Sequence, residues 1–446
     1  MSETIPATCT LRGATIVTLD DADSFYPNGS IVVKGGRISR VGSADSIAPE
    51  GELIDMSGKI LMPGLINAHT HSVSPLFRSM ADDLRLMDWL QKVIWPAEKH
   101  LTEQAAYRGA ALSFLELAES GVTTCADQYF FSRAVGRAAE QSGIRCFMAP
   151  TIFSGSTPES DKPFDRAREF IEFYRGREES TRVYPCLGPH APYSCTREDL
   201  LQAAAIARQY GVLVHIHLSE TEEENTDIRK QTGMSPTAYL ASVGLFDGPA
   251  LAAHCVHLDS ADMKILRTHK VGVAYNPVSN LKLVSGNMPL AELLEQGISV
   301  GIGTDGAQSN NSLDLLGDLK TGSLVQKQLA GDAAFFPARD ALRMATIEGA
   351  KALRMEAEIG SLETGKRADI ITLDLTRSAM VPLHVKSRSN VYSMIVYSAT
   401  GADVADVLVE GEWLVKDRKA LKIDRAAIRA EAGEEARQLM TSAGLL

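Results

Sequence analysis

The sequence predicts an α/β protein: a (β/α)8 barrel of the TIM type with β-rich segments at both ends of the chain. Three observations carry that prediction. Eight short apolar runs alternate with longer amphipathic stretches over residues 62–366. Both flanking segments instead show two-residue alternation broken by Gly-containing turns, the signature of short strands. A length of 446 residues exceeds one ordinary domain and suits a large barrel with a smaller companion.

Taken in order, residues 1–61 contain candidate strands at 14–19 and 30–34 and nothing that looks catalytic. Candidate barrel strands follow at 64–71, 121–128, 145–153, 183–190, 212–219, 250–257, 271–276 and 298–305. Helices are expected at 103–120, 197–210 and 340–353, where apolar residues recur three and four apart. Strands plus helices in strict alternation favour a closed barrel; an open doubly wound sheet would want a GxGxxG after its first strand, and none is present. Residues 367–446 return to strands at 368–375 and 404–415 and end in a surface helix at 425–440. The two β-rich ends are expected to pair into one small domain.

Composition narrows the function classes. A hydrophobic share of 45% and a charged share of 23% are those of a globular chain. The net charge of −11 with no Lys/Arg block argues against a nucleic-acid partner. The first residues lack a basic stretch followed by an apolar core, and no apolar run is long enough for a bilayer. The six cysteines are scattered without CxxC spacing, which points to free thiols in the cytoplasm. A small-molecule substrate is the expected partner.

Histidines and acids stand where the candidate strands end, and in such a barrel those ends converge on one face. His69 and His71 in "PGLINAHTH" lie on one face of a strand and can reach a single ion; alone, HxH is equally compatible with two polar residues beside a loop. His217 in "VLVHIHLSE" is followed three positions later by Glu220, an offset that leaves one as ligand and the other free for proton transfer, while His215 reads as a core or outer residue. Of His254 and His257 in "AHCVHL", three apart, only one can face a pocket, and His254 is the choice. His190 follows a Gly-Pro turn that either holds it over the pocket or ties it to backbone. Asp305 in "GTDG" is an ordinary turn residue in isolation, but here it closes the last strand. Three imidazoles and one carboxylate suit one divalent metal ion per subunit, zinc or alternatively iron(II). His100, His269 and His384 read as surface residues.

Together with "GVTTCADQ", "GPHAPYSC", "HIHLSET", "NPVSNLKL", "GTDGAQSNNSLDLL" and "GSLETGKRADIITLDL", these strings resemble, in order and over nearly the whole chain, the amidohydrolase superfamily. Within it they resemble the branch of methylthioadenosine/S-adenosylhomocysteine deaminases and triazine hydrolases. The resemblance implies that the chain ends form a composite β-sandwich beside the barrel. It also implies that His69, His71, His217 and Asp305 bind the metal, while Glu220 and His254 act on substrate and water. Binuclear members carry a carboxylated lysine at the fourth strand; here His190 stands there instead, so one ion is expected. Glu98 in "WPAEKHLT" matches the acid that accepts hydrogen bonds from a ribose diol in nucleoside-deaminating members, unless it is a solvated helix-end glutamate paired with Lys99. The arginines that hold the homocysteine carboxylate in some members find no clear match in "IRCFMAPTIFSG".

The reaction so implied is hydrolytic deamination of a 6-aminopurine nucleoside, namely methylthioadenosine, S-adenosylhomocysteine or adenosine. Asp305 would accept the water proton, His254 would orient the attack, Glu220 would protonate the ring nitrogen, and His190 and Glu98 would position base and ribose. The rivals are an s-triazine hydrolase or a guanine or cytosine deaminase on the same scaffold, and a non-catalytic barrel that has lost its ligands. Relatives imply a homo-oligomer, a dimer or tetramer.

Overall fold

Val, Ile and Thr on alternate positions give the first strands one face that must find a core. The computed structural model describes residues 6–80, 82–155, 157–159, 161–177, 181–385 and 390–445. It begins with β1 (Thr8–Val17), β2 (Phe25–Lys34), β3 (Arg37–Ser43), β4 (Glu52–Asp55) and β5 (Lys59–Pro63). The barrel strands are β6 (Leu65–His71), β7 (Val122–Tyr129), β8 (Arg145–Ile152), β9 (Val183–Pro185), β10 (Gly188–Pro189), β11 (Val214–Leu218), β12 (Ala250–His254), β13 (Gly272–Tyr275), β14 (Val300–Ile302) and β15 (Asp305–Gly306). The chain returns through β16 (Ile370–Asp374), β17 (Val404–Val409), β18 (Glu412–Lys416) and β19 (Lys419–Ala420).

The two ends do pair. β16 runs antiparallel to β5, and the order β19-β18-β17-β16-β5-β1-β2-β3, with β4 on β1, makes one nine-stranded sheet. Leu11, Ile16, Ile31 and Ile38 from the first strands share a buried cluster with Ile370, Leu408 and Trp413 from the last, so neither half has a complete core alone.

In the barrel β6, β7 and β8 are parallel neighbours, as are β11 to β14. β8 carries β9 and β10 beside it, a bridge from Leu187 to Val214 joins β11, and β15 pairs with β6. Counting β9 with β10 and β14 with β15 as one strand each, eight strands close. Small side chains let them do so: Ala68, Ala126, Ala253 and Ala274 are buried together in the interior, and a Cβ on Gly301 would stand 2.8 Å from the Ala68 Cβ.

Four expectations are corrected. The fourth strand is split into Val183–Pro185 and Gly188–Pro189, because the two residues between bond opposite neighbours, Cys186 N–H the Met148 carbonyl and Leu187 N–H the Leu213 carbonyl. The sixth stops at His254, not 257, because His254 (φ 72°) and Cys255 (φ 51°) turn the chain. The helix expected over 340–353 is two, Ala338–Met344 and Ile347–Ala352: the Ala345 carbonyl accepts from the Ile66 N–H at 2.9 Å, and Thr346 leaves helical geometry with φ −137° and ψ −100°. The last helix, Arg425–Ser442, is not merely superficial; it buries Ile428, Leu439 and Met440, and Glu431 and Glu435 pair with Arg108 on the barrel helix Glu103–Glu119.

At the base of the barrel, Arg145 opens β8 fully buried. It donates to Thr124 Oγ1 at 3.0 Å and pairs with Asp369 and Glu410 beside the end sheet. At the other end the strands open on a cleft. Among the described residues no helix is long and apolar enough to cross a membrane.

Candidate active site

The cleft floor is made where strands end. His69 and His71 alternate on β6, and each presents Nε2 3.2 Å from Asp305 Oδ1. His71 Nε2 is also 3.2 Å from His217 Nε2. The donor atoms of His69, His217, His254 and Asp305 all lie within 4.8 Å of one another. Asp305 reaches this point from left-handed backbone, φ 59°, next to a forced glycine. A Cβ on Gly303 would meet Asn276 Oδ1 at 2.4 Å and the His69 backbone at 2.8 Å, so only glycine lets β15 close against β6.

Each imidazole is held from behind. The Nδ1 of His71 bonds the Gln128 carbonyl at 2.8 Å and that of His217 the His190 carbonyl at 2.8 Å. A carbonyl only accepts, so both Nδ1 atoms donate and both Nε2 lone pairs face inward. His254 Nδ1 meets Asn280 Oδ1 at 3.0 Å, and His69 Nδ1 meets His215 Nε2 at 2.8 Å, which makes His215 the outer support of a floor residue. Burial pushes the His69 pKa down to about 3 and that of His217 well below its usual value, so these two rings are neutral, as ligands must be; His71 goes the other way, to about 9, because the Asp305 carboxylate beside it outweighs burial. Asp305 stays ionised: burial alone would raise its pKa, but His69 and His71 hold it well below the carboxylate range. Its other oxygen, Oδ2, accepts from Ser279 at 2.6 Å and Ser309 at 2.7 Å.

The buried His69 Nε2 has no hydrogen-bond partner. An unpartnered ring nitrogen among clustered imidazoles and an ionised carboxylate is what a divalent ion satisfies. The donor set therefore fits the single ion expected, and its nitrogen-rich character suits zinc or iron(II).

Glu220 is buried beside this floor, with Oε2 3.8 Å from His254 Nε2. Ser285 donates to its Oε1 at 3.3 Å, and burial raises its pKa, favouring the protonated acid. The turn that delivers it passes through Ser219 at φ 49° and is held by Glu224, whose carboxylate accepts the Ser219 and Glu220 N–H groups at 2.9 Å each.

The cleft encloses about 340 Å³ and is lined by Glu98 and His190 as well as by the floor. Glu98 is half-buried and accepts from the Tyr129 hydroxyl at 2.6 Å, so its partner is Tyr129 rather than Lys99. Desolvation pushes its pKa up to about 7. His190 bonds Ser194 Oγ through Nδ1 at 2.8 Å, and its ring lies 4.7 Å from that of His217. His257 turns away, towards Glu222 and the Ser285 carbonyl. His100 and His384 are exposed, but His269 is half-buried and bonds the Phe246 carbonyl at 2.9 Å.

Sequence reasoning missed the supports: Ser279, Asn280, Ser285, Ser309, Glu224 and Tyr129. Ser279 and Asn280 sit in "NPVSNLKL" and Ser309 in "GTDGAQSNNSLDLL", strings that stood out without any role attached to them.

The chain matches the model of the amidohydrolase family over residues 60–414. It is 41% identical over 434 residues to a 5-methylthioadenosine/S-adenosylhomocysteine deaminase of Pelotomaculum thermopropionicum, covering 96% of this chain and 98% of that one. Its structure resembles that of an adenosine deaminase from Xanthomonas campestris with bound zinc, at TM-score 0.91 and 32% identity over 97% of this chain and 98% of that one. It also resembles an atrazine chlorohydrolase from Arthrobacter aurescens complexed with zinc, at TM-score 0.86 and 26% identity over 96% and 99%.

Proposed function

We propose, from the premise that the chain belongs to the amidohydrolase family, that this metal-dependent hydrolase deaminates a 6-aminopurine nucleoside to the inosine-type product and ammonia. The observation that carries the nucleoside reading is Glu98, a carboxylate oriented by Tyr129 on the wall of the cleft whose floor holds Glu220, His254 and Asp305. A carboxylate there can accept both hydroxyls of a ribose. The similarity to deaminases of methylthioadenosine and S-adenosylhomocysteine supports the same reading.

His69, His71, His217 and Asp305 would hold the ion, with His254 facing it. When bound, such an ion acts as a Lewis acid and makes water acidic enough to react at neutral pH. The chain's own groups supply the proton traffic. Asp305 is pinned at Oδ2 by two serines and is free to take the water proton at Oδ1. His254, fixed through Asn280, orients the attacking oxygen with Nε2. Glu220, whose burial favours the protonated acid, gives a proton to the ring nitrogen beside C6. Water thus contributes OH to C6 and its other proton, by way of Asp305, to the departing amine; the C6–N bond breaks to release ammonia, and the C6 hydroxyl proton returns to Glu220 as the new C6 carbonyl forms. His190 and Glu98 position base and ribose.

The likeness to an atrazine chlorohydrolase supports the second reading, a triazine hydrolase. The experiment that separates them measures ammonia and chloride release over nucleosides, free bases and chlorotriazines, with metal content on the same preparation. Ammonia from adenosine-type nucleosides is expected; chloride from a chlorotriazine without ammonia from any nucleoside would overturn it. All six cysteines are free and buried, which supports the cytoplasmic setting. The expected dimer or tetramer is checked by sedimentation.

A further inference from the structure

Resting on the nucleoside-deaminase reading, we propose that the outer cleft takes a compact, uncharged 5′ substituent. A 5′-alkylthioadenosine is then turned over in preference to a nucleoside bearing an amino-acid tail.

The segment before Glu98 runs through three consecutive helical pieces, Leu86–Trp89, Leu90–Ile94 and Trp95–Glu98. Leu86, Leu90, Ile94 and Glu98 recur at four-residue spacing, and all four line the cleft, so three apolar side chains lead along one face to the carboxylate. If Glu98 grips the ribose, whatever projects from the 5′ carbon meets this face. Trp95 and Phe153 complete it, edge to face with centroids 5.5 Å apart. A thioether there gains apolar burial and contact between sulphur and aromatic rings.

An amino-acid tail brings a carboxylate and an ammonium, each needing a partner if drawn against that wall. Among the described residues the only Lys or Arg lining the cleft is Lys99, which is exposed. The arginine of "IRCFMAPTIFSG" is Arg145, and it stands at the wrong end of β8: fully buried at the barrel base and already paired with Asp369 and Glu410. The end of that strand which faces the cleft offers Thr151 and, just beyond it, Phe153 instead.

The test compares kcat/KM of the zinc-loaded protein for 5′-methylthioadenosine, S-adenosylhomocysteine and adenosine. Methylthioadenosine should exceed S-adenosylhomocysteine by at least roughly tenfold, mostly through KM, the scale set by one unpaired polar group. Phe153→Arg should narrow that gap by raising turnover of S-adenosylhomocysteine, and Trp95→Ala should cost the methylthio substrate more than adenosine. Equal efficiency on the first two substrates overturns the proposal alone, as does efficient S-adenosylhomocysteine turnover that Lys99→Ala abolishes. No ammonia from any of the three overturns the deaminase reading and this proposal with it.

Discussion

At the start of β8, Arg145 is enclosed by Asp369 and Glu410; further on, past the end of the same strand, Phe153 looks into the cleft. The two ends of the barrel treat polar groups in opposite ways. At the base, buried charges satisfy one another and tie barrel to end sheet, with Arg182 and Arg367 adding further pairs to Glu410. At the top, buried polar atoms are supported from behind and left open in front: four imidazoles have Nδ1 occupied, yet His69 Nε2 is unpaired. The base uses its polarity for cohesion, whereas the top keeps unsatisfied capacity for an ion and a substrate. Changes at the base should therefore alter stability without chemistry, and changes at the top the reverse.

The largest effect expected is at the floor. Asp305→Asn removes a negative ligand and the proton acceptor together, and kcat should fall by at least about 10³-fold. Metal content by elemental analysis should fall with it, while circular dichroism stays unchanged. A variant that keeps its metal and turns over within about tenfold of the parent would break the division between the two ends.

At the base, Arg145→Met leaves Asp369, which is 4% exposed, without its guanidinium. Orphaning a buried charge in this way costs about 3–5 kcal/mol, read as a lower denaturant midpoint with kcat of the folded fraction nearly unchanged. A loss of kcat that outruns the loss of stability would mean that the base is coupled to the site.

The same contrast explains what was legible in the sequence. Strands and their order were, because period-2 runs ending in His or Asp report both the strand and the face on which it opens. His69, His71, His217, Glu220, His254 and Asp305 were legible for that reason. Ser279, Asn280, Ser285 and Ser309 were not: a hydroxyl or amide acquires its role only from the atom it happens to face, and each of these faces a residue distant in sequence or across a turn. The break at Ala345–Thr346 was hidden likewise, since helical spacing continues through it and only the Ile66 N–H, a partner distant in sequence, draws the Ala345 carbonyl out. Arg145 is the reverse case. The string around it offered no clear match for an arginine of the pocket, and its position at the first residue of the strand places it at the base.

Glu98 sharpens the comparison from its weakest side, because it is an acid at the open end whose charge is only partly supported. Tyr129 donates one hydrogen bond to it, but burial is the larger influence and leaves its pKa at about 7. Above that pH the carboxylate is ionised and accepts from two hydroxyls; below it, the protonated acid can accept fewer. KM for nucleosides should thus rise as pH falls through about 7, whereas KM for the corresponding free bases, which lack the diol, should not follow. Glu98→Gln should raise nucleoside KM about tenfold, the value of one charge-assisted hydrogen bond, and should flatten this pH dependence while kcat changes less. If the Glu98→Gln substitution weakened nucleosides and free bases equally, Glu98 would be shaping the wall, as Arg145 shapes the base, and the ribose contact would have to be sought elsewhere in the cleft.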